Sequence, residues 1–194
     1  MPNTPPSKAV LRTQLRARRH ALGPQGQSAA ATAVAGHFVQ LPGWSHTRRI
    51  AVYIARDGEV DTLPLVALCR KLGMQVFLPV MGAQKTLSFA RWDEDAQLIS
   101  NSLGIPEPAA DALRLQVGQL DTLVLPLVGW DRYGGRLGMG GGYYDRTLAG
   151  CSTTTLVGLA HSVQELQRVP MEGWDIPLNF VVTETALHHC QGND

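Results

Sequence analysis

The stretch RRIAVYIARDGEVDTLPLVALCRKLGMQVFLPV, Arg48 to Val80, decides the fold class. It opens with a short apolar, β-branched run, RRIAVYIA, and passes through the polar turn DGEVDT. It then enters LPLVALCRKLG, whose helical spacing is closed by Gly73, and finishes in a second strand-like run, MQVFLPV. Strand, loop, helix and strand within about thirty residues make a βαβ unit, which implies parallel strands joined by a right-handed crossover.

The flanking sequence extends the pattern. Upstream, Ser7 can cap a helix in which Leu11, Leu15 and Leu22 fall on one side and Lys8, Arg12, Arg16 and Arg19 on a solvated basic one, until Gly23-Pro24 ends it. An Ala-rich second helix is expected from about Gln25 to Val39, before the breaker Leu41-Pro42-Gly43. Downstream, TLSFARW (86–92) alternates like a strand, ISNSLGIPEP (99–108) reads as an extended loop, and LDTLVLPLVGW (120–130) as one buried strand. Further strands are expected at TTTLVGLA (153–160) and near NFVVTE (179–184). Helices interleaved with buried strands build an open α/β sheet, in which ligands sit beyond the carboxyl ends of the strands.

Composition narrows the class. A chain of 194 residues with 44% hydrophobic and 17% charged residues supplies one substantial core, so residues 1–194 are expected to form a single domain, with 1–6 and 187–194 as tails. A formal charge of +1 leaves no footprint for a polyanion and argues against nucleic acid as a partner. No apolar run approaches the roughly 18 to 20 residues of a membrane span, and the start lacks a secretory signal, so a cytoplasmic protein without a membrane partner is expected. Cys69, Cys151 and Cys190 are odd in number and far apart, and read as ordinary thiols.

The chemistry concentrates in DRYGGRLGMGGGYYDR, Asp131 to Arg146, where six glycines fall at 134, 135, 138, 140, 141 and 142 and YYDRTLA follows with the spacing of a short helix. Glycines let main-chain N–H groups converge on one point, and a helix start adds partial positive charge, so this is a site for phosphate. Arg136 adds a full charge in what reads as an exposed loop. The stretch is neither a P-loop nor a dinucleotide fingerprint: GxxxxGK[ST] is absent, and Tyr143 occupies the third required glycine position.

With its preceding tryptophan the segment reads WDRYGGRLGMGGGYYDR, and it resembles the signature of the 5-formyltetrahydrofolate cyclo-ligase family. The resemblance extends to KxxLR at Lys8, Leu11 and Arg12, to YIARDGEVDT, to GIPEP (Gly104 to Pro108), and to WDIPLNFVVTE near the end. It implies an α/β fold consisting of a single-domain, open, Rossmann-like three-layer sheet with mostly parallel strands and two N-terminal helices. It also implies ATP-dependent, magnesium-requiring conversion of 5-formyltetrahydrofolate, with or without a polyglutamate tail, to 5,10-methenyltetrahydrofolate, by a monomer.

The resemblance further implies roles for individual residues. Lys8, Arg12, Arg136, Leu137, Gly138, Met139, Gly140, Gly141, Gly142, Tyr143 and Tyr144 are expected to bind ATP. Ile54, Glu59, Met139, Gly140, Gly141, Gly142 and Tyr143 are expected to bind the folate. Asp145 and Asp175 are expected to hold the magnesium ion, whose oxygen preference suits one or two carboxylates. Arg136 and Tyr144 are the catalytic candidates. Lys8 sits in a first helical turn, where the macrodipole disfavours a cation and an anion nearby would resolve the conflict. Trp92 could pack beside the folate or serve only the core.

Two departures from the family pattern stand out. Gly141 occupies a position where many relatives carry Lys, and Asn179 one where relatives carry Asp, with a role in the metal's water shell, in the substrate site or merely in a turn. His188, His189 and Cys190 read as solvated tail. Two other readings compete: a sugar-phosphate-binding or isomerase-like protein using the same glycine loop, and a nonenzymatic RNA-binding module using the arginine face of the first helix.

Overall fold

A computed structural model describes residues 6–101 and 104–191. Ser7 accepts the amide of Val10 at 3.4 Å and starts helix α1 (Lys8–His20); α2 (Gly23–Phe38) follows directly. Gly23, at φ 65°, both ends α1 and opens α2, so the second helix begins two residues earlier than its composition suggested.

The βαβ unit forms as read: β1 (Arg49–Ala51), α3 (Leu63–Lys71) and β2 (Gln75–Met81), with β1 and β2 parallel. Gly73 closes α3 with φ 73°. Antiparallel β3 (Leu87–Arg91) follows, and the segment read as an extended loop contains a small ladder, β4 (Ile99–Ser100) against β5 (Pro106–Glu107). The remaining strands are β6 (Arg114–Leu115), β7 (Thr122–Pro126), β8 (Gly129–Trp130), β9 (Arg136–Leu137), β10 (Thr155–Leu159), β11 (Phe180–Val182) and β12 (Leu187–His189), with helix α4 at Tyr143–Leu148. The run 120–130 is therefore divided: β7 joins the large sheet, and β8 pairs with β9 as a separate hairpin.

The large sheet has the order β12-β11-β10-β7-β1-β2-β3-β6, and its five central strands, β11 to β2, are mutually parallel. Alternation along the strands sorts the core. Ile50, Val52, Val76, Leu78, Val124 and Val157 pack under α2 and α3 with Val34, Phe38, Leu65 and Cys69. Ala51, Phe77, Phe89, Leu123, Leu125 and Val181 face the other way, onto Trp130 and Leu148 of α4. Each fully buried Phe or Leu contributes on the order of 1.5–3 kcal/mol. Leu11 and Leu15 of α1 pack with Val128, Leu137 and Val169 in a smaller cluster at the end of the sheet.

Two expectations are corrected. Residues 187–190 are not a frayed tail: β12 pairs antiparallel with β11, and the Cys190 amide bonds to Asn179 O at 3.0 Å. This pairing covers the edge of β11, and the His188 ring lies 4.8 Å from that of Trp130. Residues 1–5 and 192–194 lie outside the described residues. Arg19, read as part of a solvated face, is fully buried. It follows Leu11 and Leu15 at four-residue steps and therefore falls on their stripe.

β1 leads to β2 on one side, whereas β7, β10 and β11 succeed one another on its other side. The strand order thus reverses between β1 and β7, and their carboxyl ends open into a crevice at the topological switch point.

Candidate active site

The crevice holds two cavities that share one residue. The first, about 440 Å³, is lined by Lys8 and Arg12 of α1, by Pro126 to Val128 after β7, by the whole run Arg136 to Asp145, and by Glu59, Glu172, Trp174 and Asp175. The second, about 570 Å³, is lined by Gln27, Ile54, Ala55, the turn Arg56 to Glu59, Asp61 to Leu63, Trp92, Leu98 and Pro106. Glu59 belongs to both walls.

The glycine run is shaped from below by Asp131, which is 1% exposed. One of its carboxylate oxygens accepts the amides of Tyr133 (2.9 Å) and Gly135 (2.8 Å), and the other accepts that of Val169 (2.7 Å). At the hairpin tip the Leu178 amide bonds to Gly134 O at 2.9 Å, which fastens the tip to the segment carrying Asp175. Farther along, Arg12 Nε donates to Gly138 O at 2.7 Å. Gly140 has φ 94°, with the Arg12 guanidinium directly behind it, where a Cβ would lie 3.3 Å from a guanidinium nitrogen. A side chain there would be strained twice over. Arg146 donates to Gly141 O (3.1 Å) and Gly142 O (3.0 Å), turning the carbonyls of the last glycines outward. Because α4 spans only six residues, its dipole supplies less positive charge than the side chains Lys8, Arg12 and Arg136.

Arg136 is a correction to the sequence reading. It lies in β9 with its side chain 7% exposed, its Nε donates to Ile176 O at 3.1 Å, and its Nη2 forms a very short ion pair with Asp145. Lys8 Nζ meets Asp175 at 3.1 Å and Glu172 at 3.7 Å, so the anion that its first-turn position called for is present. The cavity thus carries three cation–carboxylate pairs, two of which, Arg136–Asp145 and Lys8–Asp175, join a residue expected to hold phosphate to one expected to hold metal. Among the described residues no three His, Cys, Asp or Glu side chains converge as a metal cluster. Two carboxylates facing one cavity nevertheless suit magnesium, which keeps most of its waters when nucleotide phosphates supply the remaining ligands.

Glu59 is half-buried in the wall between the two cavities. Burial raises its carboxyl pKa against the opposing bond from the Arg56 amide (3.0 Å). Tyr144 is pushed up by burial first and by the charge of Glu59 second, so it stays a neutral phenol, a donor facing a carboxylate across the same cavity. Ile54 does not line the glycine cavity; it lines the second one with Trp92, whose ring lies under the Arg70 guanidinium at 4.7 Å. Asn179 lies outside both cavities, and its Oδ1 accepts the Leu156 amide at 2.8 Å, which matches the turn role rather than the metal role. Sequence reasoning missed Glu172 and Trp174 in the first cavity, although Trp174 adjoins Asp175, and it also missed the buried Arg19 beneath the Asp57–Glu59 turn.

Fold and site together define an α/β enzyme that gathers a glycine loop flanked by paired cations and carboxylates, and a mainly apolar slot, at the switch point of a mostly parallel sheet. The sequence model of the 5-formyltetrahydrofolate cyclo-ligase family matches residues 4–184. A protein of that name from Escherichia coli is 40% identical over 178 residues, which span 89% of this chain and 98% of its own. Its namesake from Haemophilus influenzae is 36% identical over 173 residues, 87% and 92% of the two chains. The NMR structure of Aquifex aeolicus 5,10-methenyltetrahydrofolate synthetase superposes with a TM-score of 0.83 at 30% identity, covering 96% of this chain and 94% of that one. The chain belongs to the 5-formyltetrahydrofolate cyclo-ligase family and is a ligase.

Proposed function

We propose that the protein cyclises 5-formyltetrahydrofolate to 5,10-methenyltetrahydrofolate at the expense of ATP, releasing ADP and phosphate. The observation that carries this reading is the pair of cavities meeting at Glu59, one lined by glycine amides and by Lys8, Arg12 and Arg136 with their carboxylate partners, the other by Ile54, Trp92, Leu98 and Pro106. A triphosphate suits the first and a flat pterin the second. A sugar phosphate would leave the second cavity without purpose.

In this reading Lys8, Arg12, Arg136 and the amides between Leu137 and Tyr144 hold the phosphates of ATP, while Ile54, Glu59 and the loop from Met139 to Tyr143 hold the folate. The formyl oxygen attacks the γ-phosphorus, and the bond to ADP breaks. N10 then adds to the activated carbon and gives up its proton, and phosphate departs with the carbon–oxygen bond to leave the methenyl bridge. Arg136 stabilises the phosphoryl group as charge builds on its oxygens, and Tyr144 donates its phenolic proton as a hydrogen bond at the meeting of the two cavities. Asp145 and Asp175 would hold magnesium, which supplies charge neutralisation at the phosphates. Both now neutralise cations, so binding of phosphate by Lys8 and Arg136 would free these carboxylates for the metal.

The same reading takes the substrate as a free small molecule, mono- or polyglutamylated, used by a single-domain cytoplasmic monomer without nucleic acid or membrane. Purified protein given 5-formyltetrahydrofolate is expected to develop methenyltetrahydrofolate absorbance only when ATP and magnesium are both present. A folded protein that gives no signal, or a signal independent of ATP, would refute the reading.

A further inference from the structure

The turn that carries Glu59 is not a free loop. Asp57 and Gly58 both take the left-handed conformation, φ 55° and 77°, which is uncommon for aspartate. Arg19, with 0% exposure, reaches this turn from inside: Nε donates to Asp57 O at 2.8 Å and Nη2 to Asp57 Oδ2 at 2.6 Å. Its Nη1 donates to Leu127 O at 3.4 Å, beyond the end of β7. Arg16 pairs with the same carboxylate at 2.7 Å, His20 Nε2 meets Asp57 O at 2.7 Å, and the His161 ring donates Nε2–H to Gly58 O at 3.1 Å.

A cation with no solvent contact is costly unless its donors are used, and here they are spent on the two strand ends that form the crevice. Arg16 and His20 lie at the surface side of the turn; among the described residues, Arg19 alone donates both to it and to Leu127 O. At Leu127 the arginine is backed up by Gln164 Nε2, which donates to the same carbonyl at 2.9 Å. At the turn, Arg19 holds both Asp57 O and the Asp57 carboxylate, and among the described residues the other buried tie, His161, reaches only Gly58 O.

We infer that Arg19 is a positioning residue: its buried guanidinium fixes the Asp57–Gly58 turn against the end of β7 and thereby sets Glu59 in the wall between the two cavities. This rests on the proposed reading of Glu59 as the folate's contact. The folate side should therefore depend on Arg19 more than the ATP side, which has its own anchors in Arg12, Asp131 and Gln164.

The test is a double-mutant cycle of Arg19→Lys and Glu59→Gln, with Michaelis constants taken separately for 5-formyltetrahydrofolate and ATP. Arg19→Lys is expected to raise the folate constant roughly tenfold and leave the ATP constant within about twofold, with most of the effect vanishing in the Glu59→Gln background, as positions joined by a shared backbone shift couple. Additive effects, or equal shifts for both substrates, would overturn the inference, because a merely structural arginine would damage both alike. If Arg19→Lys does not fold, Asp57→Asn takes its place with the same expectations, since Asn tolerates the left-handed backbone. Hydrogen exchange separates this idea from the reading beneath it: whatever the turnover, amides of residues 56–59 should exchange faster in the variant while those of β2 do not. Unchanged exchange there would overturn it, whereas an inactive wild-type protein would refute the proposed function alone.

Discussion

Asp131→Asn isolates the device that shapes the glycine loop. Three main-chain donors, Tyr133, Gly135 and Val169, converge on two carboxylate oxygens at 2.7–2.9 Å, and the site is closed to water. An amide of the same shape has one oxygen, so in either flip its NH2 group faces at least one N–H. Losing a hydrogen bond to a charged acceptor costs about 1.5–3 kcal/mol, and an orphaned buried donor adds a penalty of similar size. Part of this is relieved by shifts of the Gly134–Gly135 turn, which leaves an expected loss of about 2 kcal/mol, or a melting temperature lower by about 4–8 °C for a chain of this length. No relief is available toward Gly135 itself, where even a Cβ would come within 2.5 Å of the carboxylate. The assay is thermal and urea unfolding, with the ATP Michaelis constant followed in parallel and expected to rise as the loop loosens. A variant that melts within about 1 °C of the parent, well inside the shift scale per kcal/mol, would refute the argument.

Glu59→Gln should separate stability from binding. Because burial raises the pKa of this carboxyl in the folded chain, the folded state holds the proton more tightly than the unfolded one, and stability is lost as pH rises through the folded value. The neutral variant should therefore melt higher than the parent at neutral pH, with the gap closing in acid, while the folate Michaelis constant rises; a gap constant with pH would contradict the burial argument. Arg136→Lys should keep a cation opposite Asp145 but lose the fork that also reaches Ile176 O, so turnover should fall by about 10²–10³ with a modest change in melting, in line with removal of a preorganised donor. Near-parental turnover would remove Arg136 from the mechanism. Arg136→Ala is the poorer experiment, because it also leaves the Asp145 carboxylate without its partner in a largely closed site.

The sequence by itself determined the sheet class and the position of the glycine-rich segment that lines the first cavity, because both are written in local terms. The βαβ unit follows from residue period and from Gly73, and the loop from glycines closely spaced around Arg136. The motif residues from Lys8 to Asp175 were also legible, though only through resemblance, since neither Lys8 nor Asp175 signals a role where it stands. What the tertiary structure decided depends on contacts between segments remote in the chain. Arg136 proved buried because β9 folds back on β8, and Ile54 proved to line a second cavity because β1 ends beside α3 and Trp92. Residues 187–189 became an edge strand because β11 offered unpaired main-chain groups and an apolar flank. Arg19 carried a signal in its four-residue steps from Leu11 and Leu15, but only the arrival of Asp57 from 38 residues away, at 2.6 Å, makes it a buried tie between two strand ends.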